Sequence, residues 1–208
     1  MPETEVPLGF GGLLVPLGSH IASFYRHISE MRGVVVPFTQ KGLERGDRCI
    51  CVVDEETRDG LQEVLRGQGV DVEAALASGQ LSILTAEESY LSGGYFDPEK
   101  MVEFYEAALR TAIEEGYRVI RITGEATWAL REYPGVERLM EYEAKVHKML
   151  IRYPQITLCQ YNVTRFRGDM IMDVLRVHPI CILGGVLIHN HFYTPPDEFL
   201  RELETRTH

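Results

Sequence analysis

The stretch LGSHIASFYRHISE, residues 17–30, decides how the rest of the chain is read. It lies between a short N-terminal apolar run and an amphipathic helical pattern. In many nucleotide-binding α/β proteins that junction is a glycine-rich loop whose backbone N–H groups cradle phosphate. Here it carries His20, Phe24, Tyr25, Arg26 and His27, with no lysine and no glycine after Gly18. The chain contains no GxxxxGK[ST], and no GxGxxG follows a predicted strand, so ordinary phosphate-loop ATP hydrolysis is disfavoured.

Working outward, strands and helices alternate. Residues 27–46 place Ile28, Met31, Val34, Val35, Phe38 and Leu43 near one helical face, and Pro37 is expected to kink that helix or delay its start. RCICVV, residues 48–53, reads as a buried strand running into Asp54, Glu55 and Glu56, with helices over 57–70 and 71–79. A strand at 80–88 precedes the clearest helix, 97–116, which has Asp97 as N-cap, Pro98 in the first turn and Gly116 as stop. Strands at 117–125, 156–162 and 181–190 alternate with helices at 135–153 and 168–178, and a last helix follows TPP. This order predicts an α/β fold with a mostly parallel central sheet flanked by helices. No Pro-, Ser- or Gly-rich linker and no repeat interrupts it, so residues 17–208 read as one domain behind an N-terminal extension, 1–16.

Composition narrows the function classes. The 208 residues carry a net charge of −10, a surface that repels nucleic-acid phosphates and anionic lipid, and no Lys/Arg cluster offsets it. No apolar run reaches the roughly 18 residues that span a bilayer. The N-terminus has acidic residues before its apolar part and no basic segment, so a cytoplasmic chain without a secretory signal is expected. Cys49 and Cys51 alternate onto one strand face, a poor geometry for joining the two, and the four cysteines read as small hydrophobes in strands.

In an open parallel sheet, ligands gather beyond the carboxyl ends of the strands. The residues expected there are His20, Phe24 and Tyr25, then Asp54 to Glu56, Thr85 to Tyr90, Glu125 with Trp128, and Cys159, Gln160 and Tyr161. Glu125 reads either as a semi-buried acid that orients a ligand or as a helix-entry acid favoured by the helix dipole. Tyr142 reads as core or pocket wall, and Glu143 sits four residues before His147, the spacing of a surface pair. Alternation sends Cys159 and Tyr161 to one strand face and Gln160 to the other. Cys159 becomes reactive only beside a base, a role open to His20 or His178 if the fold brings them close. His189 and His191 share one side of an extended segment, the geometry of a two-ligand metal clip.

Several separated blocks, GSHIASFYR, PFTQKGLERGDRCICVVDE, SGQLSILTAEESYLSGGYFDPEKM, EEGYRVIRITGEATWAL, GVERLMEYEAKVH, LCQYN and HPICILGGVLIHNHFYTPPDEF, together resemble the MEDS domain, the methanogen/methylotroph, DcmR-type sensory domain. The resemblance covers nearly the whole chain from about residue 17. It implies a RecA/KaiC-like three-layer sandwich that has lost its phosphate loop. It also implies sensing of small hydrocarbon derivatives such as halogenated methanes, beside helix-turn-helix or histidine kinase modules. His20 and Tyr25 match the family's H-x-x-x-F-Y opening, Glu125 its G-E block, Glu143 its E-Y-E block, Gln160 and Tyr161 its C-Q-Y block, and His178 its H-P block. Asn162 departs from the family's aspartate and removes a negative charge, and HNHF holds more histidines than the family pattern.

The reading that results is a small-molecule sensor without ATP hydrolysis and without a cofactor. Its ligand residues are His20, Phe24, Tyr25, Glu125, Trp128, Tyr142, Glu143, Cys159, Gln160, Tyr161 and His178. Its output comes from a separate histidine kinase or transcription regulator, or from self-association, with no direct nucleic-acid or membrane contact. Two alternatives use the same strand edge: a metal- or thiol-assisted enzyme, and a degenerate nucleotide-binding module. A small enclosed aromatic pocket favours the sensor. A His/Cys/Glu cluster able to share one ion favours the metal reading, and an open cleft of backbone amides at residues 18–26 favours nucleotide.

Overall fold

The computed structural model describes residues 4–206; the first three residues of the extension and the last two of the chain lie outside it. Two short strands, β1 (Glu5–Pro7) and β2 (Leu14–Pro16), pair antiparallel as a ribbon of their own. Pro7 and Pro16 lack the N–H that a central ladder needs, which confines this apolar run to an edge. Gly18 then turns the chain at φ +87°, where a Cβ would meet the Ile151 backbone at 3.3 Å.

The main sheet begins with β3 (Ser19–Tyr25), followed by α1 (Ile28–Arg45), β4 (Arg48–Val53), α2 (Arg58–Gly67), α3 (Val72–Ala77), β5 (Leu81–Thr85) and α4 (Pro98–Glu114). Next come β6 (Ile120–Glu125), two short 3-10 turns at 127–130 and 136–138, α5 (Leu139–Leu150), β7 (Gln155–Asn162) and α6 (Gly168–Val177). The hairpin β8 (Ile180–Leu183) and β9 (Val186–His189) precedes α7 (Pro196–Arg206). The sheet order is β5-β4-β6-β7-β3-β8-β9, parallel throughout except for β9.

This is the expected mostly parallel sheet between two helical layers. Alternation along each strand sorts the layers. His20, Ala22 and Phe24, Ile50 and Val52, Ile120 and Ile122, and Cys159 and Tyr161 face α4, α5, α6 and α7. Ile21 and Tyr25, Cys49 and Cys51, and Ile156 and Leu158 face α1, α2 and α3. Cys49 and Cys51 share that face as buried free thiols, as their spacing implies. The α4 N-cap forms as read, Asp97 accepting from the N–H groups of Glu99 and Lys100 at 3.0 and 3.1 Å. Among the described residues no helix is long and apolar enough to cross a membrane.

Three local expectations change. The quoted stretch is not a loop: residues 19–25 form β3, in the middle of the sheet, and only Arg26 and His27 connect it to α1. Pro37 does not delay the start of α1, which begins at Ile28 and runs through it. The carbonyl crowded by its ring and left without a donor is that of Gly33, an exposed position where water can serve it. Residues 181–190 are not one strand, because Gly184 and Gly185 take positive φ and fold the run into a hairpin.

Candidate functional site

The residues expected at one sheet edge fall into three places. The first is a buried cluster on the sheet face below α5 and α6. His20 is the second residue of β3 and Cys159 the fifth of β7, both pointing to that face, and the His20 Nε2 lies 3.3 Å from the Cys159 Sγ. Residues 142–150 of α5 cover the sheet, and Glu143 reaches down between the two strands. Its Oε2 lies 3.2 Å from His20 Nε2, 3.6 Å from His178 Nε2 and 3.8 Å from Cys159 Sγ, and its Oε1 accepts from the Tyr161 hydroxyl at 2.8 Å. His178, just past α6, brings its ring centroid to 4.1 Å from that of His20. The ligand-type atoms of His20, Glu143, Cys159 and His178 all lie within 4.8 Å of one another. Exposure is 0% for both histidines, 3% for Glu143 and 9% for Cys159.

Burial governs the chemistry of this cluster. It pushes the His20 imidazole down, and His178 down to about 3, so both rings are neutral near pH 7. It pushes the Glu143 carboxyl up, an effect partly offset by His178, and pushes the Cys159 thiol up as well, with Glu143 adding to that rise. The His178 Nδ1 lies 2.8 Å from the Val174 carbonyl oxygen, which can only accept. The proton is therefore on Nδ1, and Nε2 turns a bare lone pair toward Glu143. This Nε2 has no hydrogen-bond partner, nor has the His20 Nδ1.

The second place is an aromatic chamber against the same face. Tyr90, Tyr105, Ile122, Tyr142, Val146, Thr157 and Cys159 enclose a cavity of about 10 Å³, room for about one water molecule. Trp128 stands behind it, its ring stacked on Tyr90 with centroids 4.5 Å apart, and Phe96 meets Trp128 at 4.7 Å. Tyr105 donates to the Tyr90 hydroxyl at 2.9 Å. Gly124 admits this group to the sheet, since a Cβ there would meet the Tyr90 hydroxyl at 2.7 Å. Cys159 belongs to both places, facing His20 and Glu143 on one side and the chamber on the other. Phe24 packs near by on Tyr161 at 6.1 Å between centroids.

The third place is the carboxyl edge of the sheet, on the α1 side. Glu125 ends β6, and its Oε2 accepts three backbone N–H groups, from Asp54, Glu55 and Glu56, at 3.0, 3.0 and 3.3 Å. Its Oε1 accepts from the Tyr25 and Thr127 hydroxyls at 2.9 and 3.0 Å. Burial pushes this carboxyl up and the five donors pull it back. Tyr25 also donates to Glu55 at 3.1 Å, Asn162 donates to Glu55 at 3.3 Å, and Arg165 and Arg131 pair with Glu55 and Asp54. Glu125 is thus a clamp on the loop after β4. Gln160 points to this side, as alternation requires, and donates to Thr123.

Two sequence expectations are corrected here. Glu143 and His147 are not a surface pair: α5 turns that face to the core, where His147 is 6% exposed with its Nε2 at 3.0 Å from the Tyr193 hydroxyl. His20 is not at the strand edge, because the strand starts at Ser19 rather than in the preceding apolar run. The condition set for Cys159 is met in space, with His20 beside it and His178 in the same cluster. His189 and His191 are exposed and belong to no such group. Of the chamber residues, Tyr90 stood among those expected at the sheet edge, whereas Phe96 and Tyr105 were missed. Only Tyr105 carried a signal, the helical spacing Met101, Tyr105, Leu109 and Ala112 of the buried face of α4.

Comparisons with known proteins agree with this architecture. The chain is 27% identical over 168 residues to the transcriptional repressor DcmR of Methylorubrum extorquens, a match covering 80% of this chain. The chain spans about 60% of that relative's length. The crystal structure of a KaiC-like protein from the hyperthermophilic archaeon Pyrococcus horikoshii OT3 superposes with a TM-score of 0.61 at 16% identity, covering 85% of this chain and 78% of the other. That likeness supports the RecA/KaiC-like fold. The sequence profile of the MEthanogen/methylotroph, DcmR Sensory domain matches residues 19–179, so the chain belongs to the MEDS sensory-domain family.

Proposed function

We propose that this chain is the sensing part of a regulatory system, and that it binds a small, weakly polar organic molecule of the halogenated-methane class in the aromatic chamber beside Cys159. The observation that carries this reading is the chamber itself: a small, partly open space lined by three tyrosines, with one thiol and one threonine hydroxyl as polar anchors. Its resting volume holds about one water molecule. Protein interiors are close-packed, so a larger guest must separate α4 and α5 from the sheet, at a typical overpacking cost of about 1–3 kcal/mol. That displacement is the signal, and a kinase, a transcription regulator or a second copy of the chain reads it. The family membership and the DcmR relative support a sensing role.

The cluster of His20, Glu143, Cys159 and His178 meets the condition set for a metal, whereas the nucleotide and thiol alternatives have less support. A two-residue link, Arg26 and His27, stands where a phosphate loop would cradle a nucleotide. Cys159 holds its proton in a buried, carboxylate-lined setting, the opposite of what activates a nucleophilic thiol.

Trp128 is the only tryptophan of the chain and stacks directly on the chamber wall, so its fluorescence reports occupancy. Titration with dichloromethane is expected to give a saturable change, and Val146→Phe, which fills the chamber, is expected to remove it. Linear, unsaturable quenching identical in both proteins would end this reading.

A further inference from the structure

We propose that His20, Glu143, Cys159 and His178 form a tetrahedral zinc site that uses all four side chains as ligands. The inference goes beyond the sensing reading and shares with it only Cys159. Zinc bonds of about 2.0–2.3 Å put neighbouring ligand atoms of a tetrahedron about 3.3–3.8 Å apart. The distances here are 3.2 Å from His20 Nε2 to Glu143 Oε2, 3.3 Å from His20 Nε2 to Cys159 Sγ, 3.6 Å from His178 Nε2 to Glu143 Oε2, and 3.8 Å from Cys159 Sγ to Glu143 Oε2. Four of the six pairs thus stand close to the spacing the ion demands, and all six lie within 4.8 Å.

A hydrogen-bonded network explains the cluster less well. The His178 proton is spent on the Val174 carbonyl, so its Nε2 lone pair is left without a donor, and the Glu143 oxygen it faces is partnered by the Cys159 thiol, a weak donor. Buried acceptors left unpaired are costly, and a cation between them removes the conflict. The surrounding contacts are those that orient metal ligands: a backbone carbonyl fixes the His178 tautomer, and the Tyr161 hydroxyl holds the other oxygen of Glu143.

Charge and ligand type select the ion. A divalent cation with one thiolate, one carboxylate and two neutral imidazoles sums to zero, the least costly arrangement for an ion under a sheet and two helices. On binding, the Cys159 proton leaves to solvent and the thiolate takes its place on the metal. Nitrogen and sulfur ligands favour zinc over magnesium or calcium, which take oxygen. The ligands come from β3, α5, β7 and the end of α6, so the ion would bind the helical layer to the two central strands.

The test is made on the full chain. Metal analysis of the purified protein is expected to find stoichiometric zinc. Protein refolded with cobalt(II) is expected to show the visible absorption of tetrahedral cobalt and a thiolate-to-metal charge-transfer band. Cys159→Ser removes that band, whereas Cys181→Ser keeps it. Glu143→Gln gives the metal-free cluster an amide that donates to the imidazole lone pairs, so it folds without zinc and does not take up cobalt. Tyr161→Phe, which frees the Glu143 oxygen, weakens zinc by about 10- to 100-fold. Substoichiometric zinc with no cobalt spectrum, or a charge-transfer band that survives Cys159→Ser, overturns the proposal. Dichloromethane titration separates the two readings: guest binding by protein that takes up no metal removes the zinc site alone, and metal uptake without guest binding removes the sensor alone.

Discussion

Two buried glutamates, one on each face of the same sheet, stand in opposite conditions. Glu125 receives five donors, three of them backbone N–H groups, and both of its oxygens are served. Glu143 receives the Tyr161 hydroxyl on one oxygen and only the Cys159 thiol, a weak donor, on the other, which also faces two imidazoles. The first is a finished network that fixes a loop. The second leaves the His178 Nε2 and the His20 Nδ1 without a hydrogen-bond partner in the core.

The difference can be broken by substitution. Glu125→Ala leaves three amide groups without an acceptor, while Tyr25 keeps Glu55 and Thr127 keeps Asp54, and is expected to cost about 3 kcal/mol or more, since each unsatisfied buried group costs about 1–3 kcal/mol. Glu143→Gln in chelated protein keeps an acceptor for Tyr161 and adds donors, so it is expected to change stability by less than about 1 kcal/mol in either direction. Urea unfolding measures both, and equal losses would show that the two sites are alike. Tyr25→Phe removes one donor shared by Glu125 and Glu55, and its expected cost is about 1–2 kcal/mol.

The smallest effect concerns pH. Burial raises the Glu55 carboxyl, but hydrogen bonds from Arg165, Asn162 and Tyr25 outweigh this and leave it below the ordinary value of 4.5. A depressed carboxylate contributes stability that is present above the unfolded value and lost as pH falls through the folded one. Glu55→Gln should therefore flatten the acid limb of stability below about pH 4.5, by less than about 1 kcal/mol for a partly exposed pair. An unchanged limb would show that the edge network does not depend on charge.

Much of the fold was legible because it is written in local patterns. The Asp97 cap, the apolar strand runs and the loss of the phosphate motif all act over a few residues. Places where two local signals compete were misread. Pro37 signalled a kink or a later start, but α1 starts at Ile28 and an exposed Gly33 carbonyl makes the proline tolerable, and the Gly184–Gly185 pair inside an apolar run was a hairpin turn. The family blocks singled out His20, Glu143 and His178, and alternation placed Cys159 and Tyr161 together, but neither says which residues meet.

By itself, then, the sequence determined the class of the fold, the missing phosphate loop and the faces of individual strands, because periodicity and backbone sterics are local. Only the tertiary structure decided that Glu125 and Tyr25 close one network while Glu143, His20, Cys159 and His178 converge in another. That convergence depends on pairing β3 with β7, whose facing residues Ala22 and Cys159 lie far apart in the chain, and on the α5 face that turns Glu143 inward. Strand pairing and helix docking are set by the burial of the whole core, and no short stretch of residues encodes them.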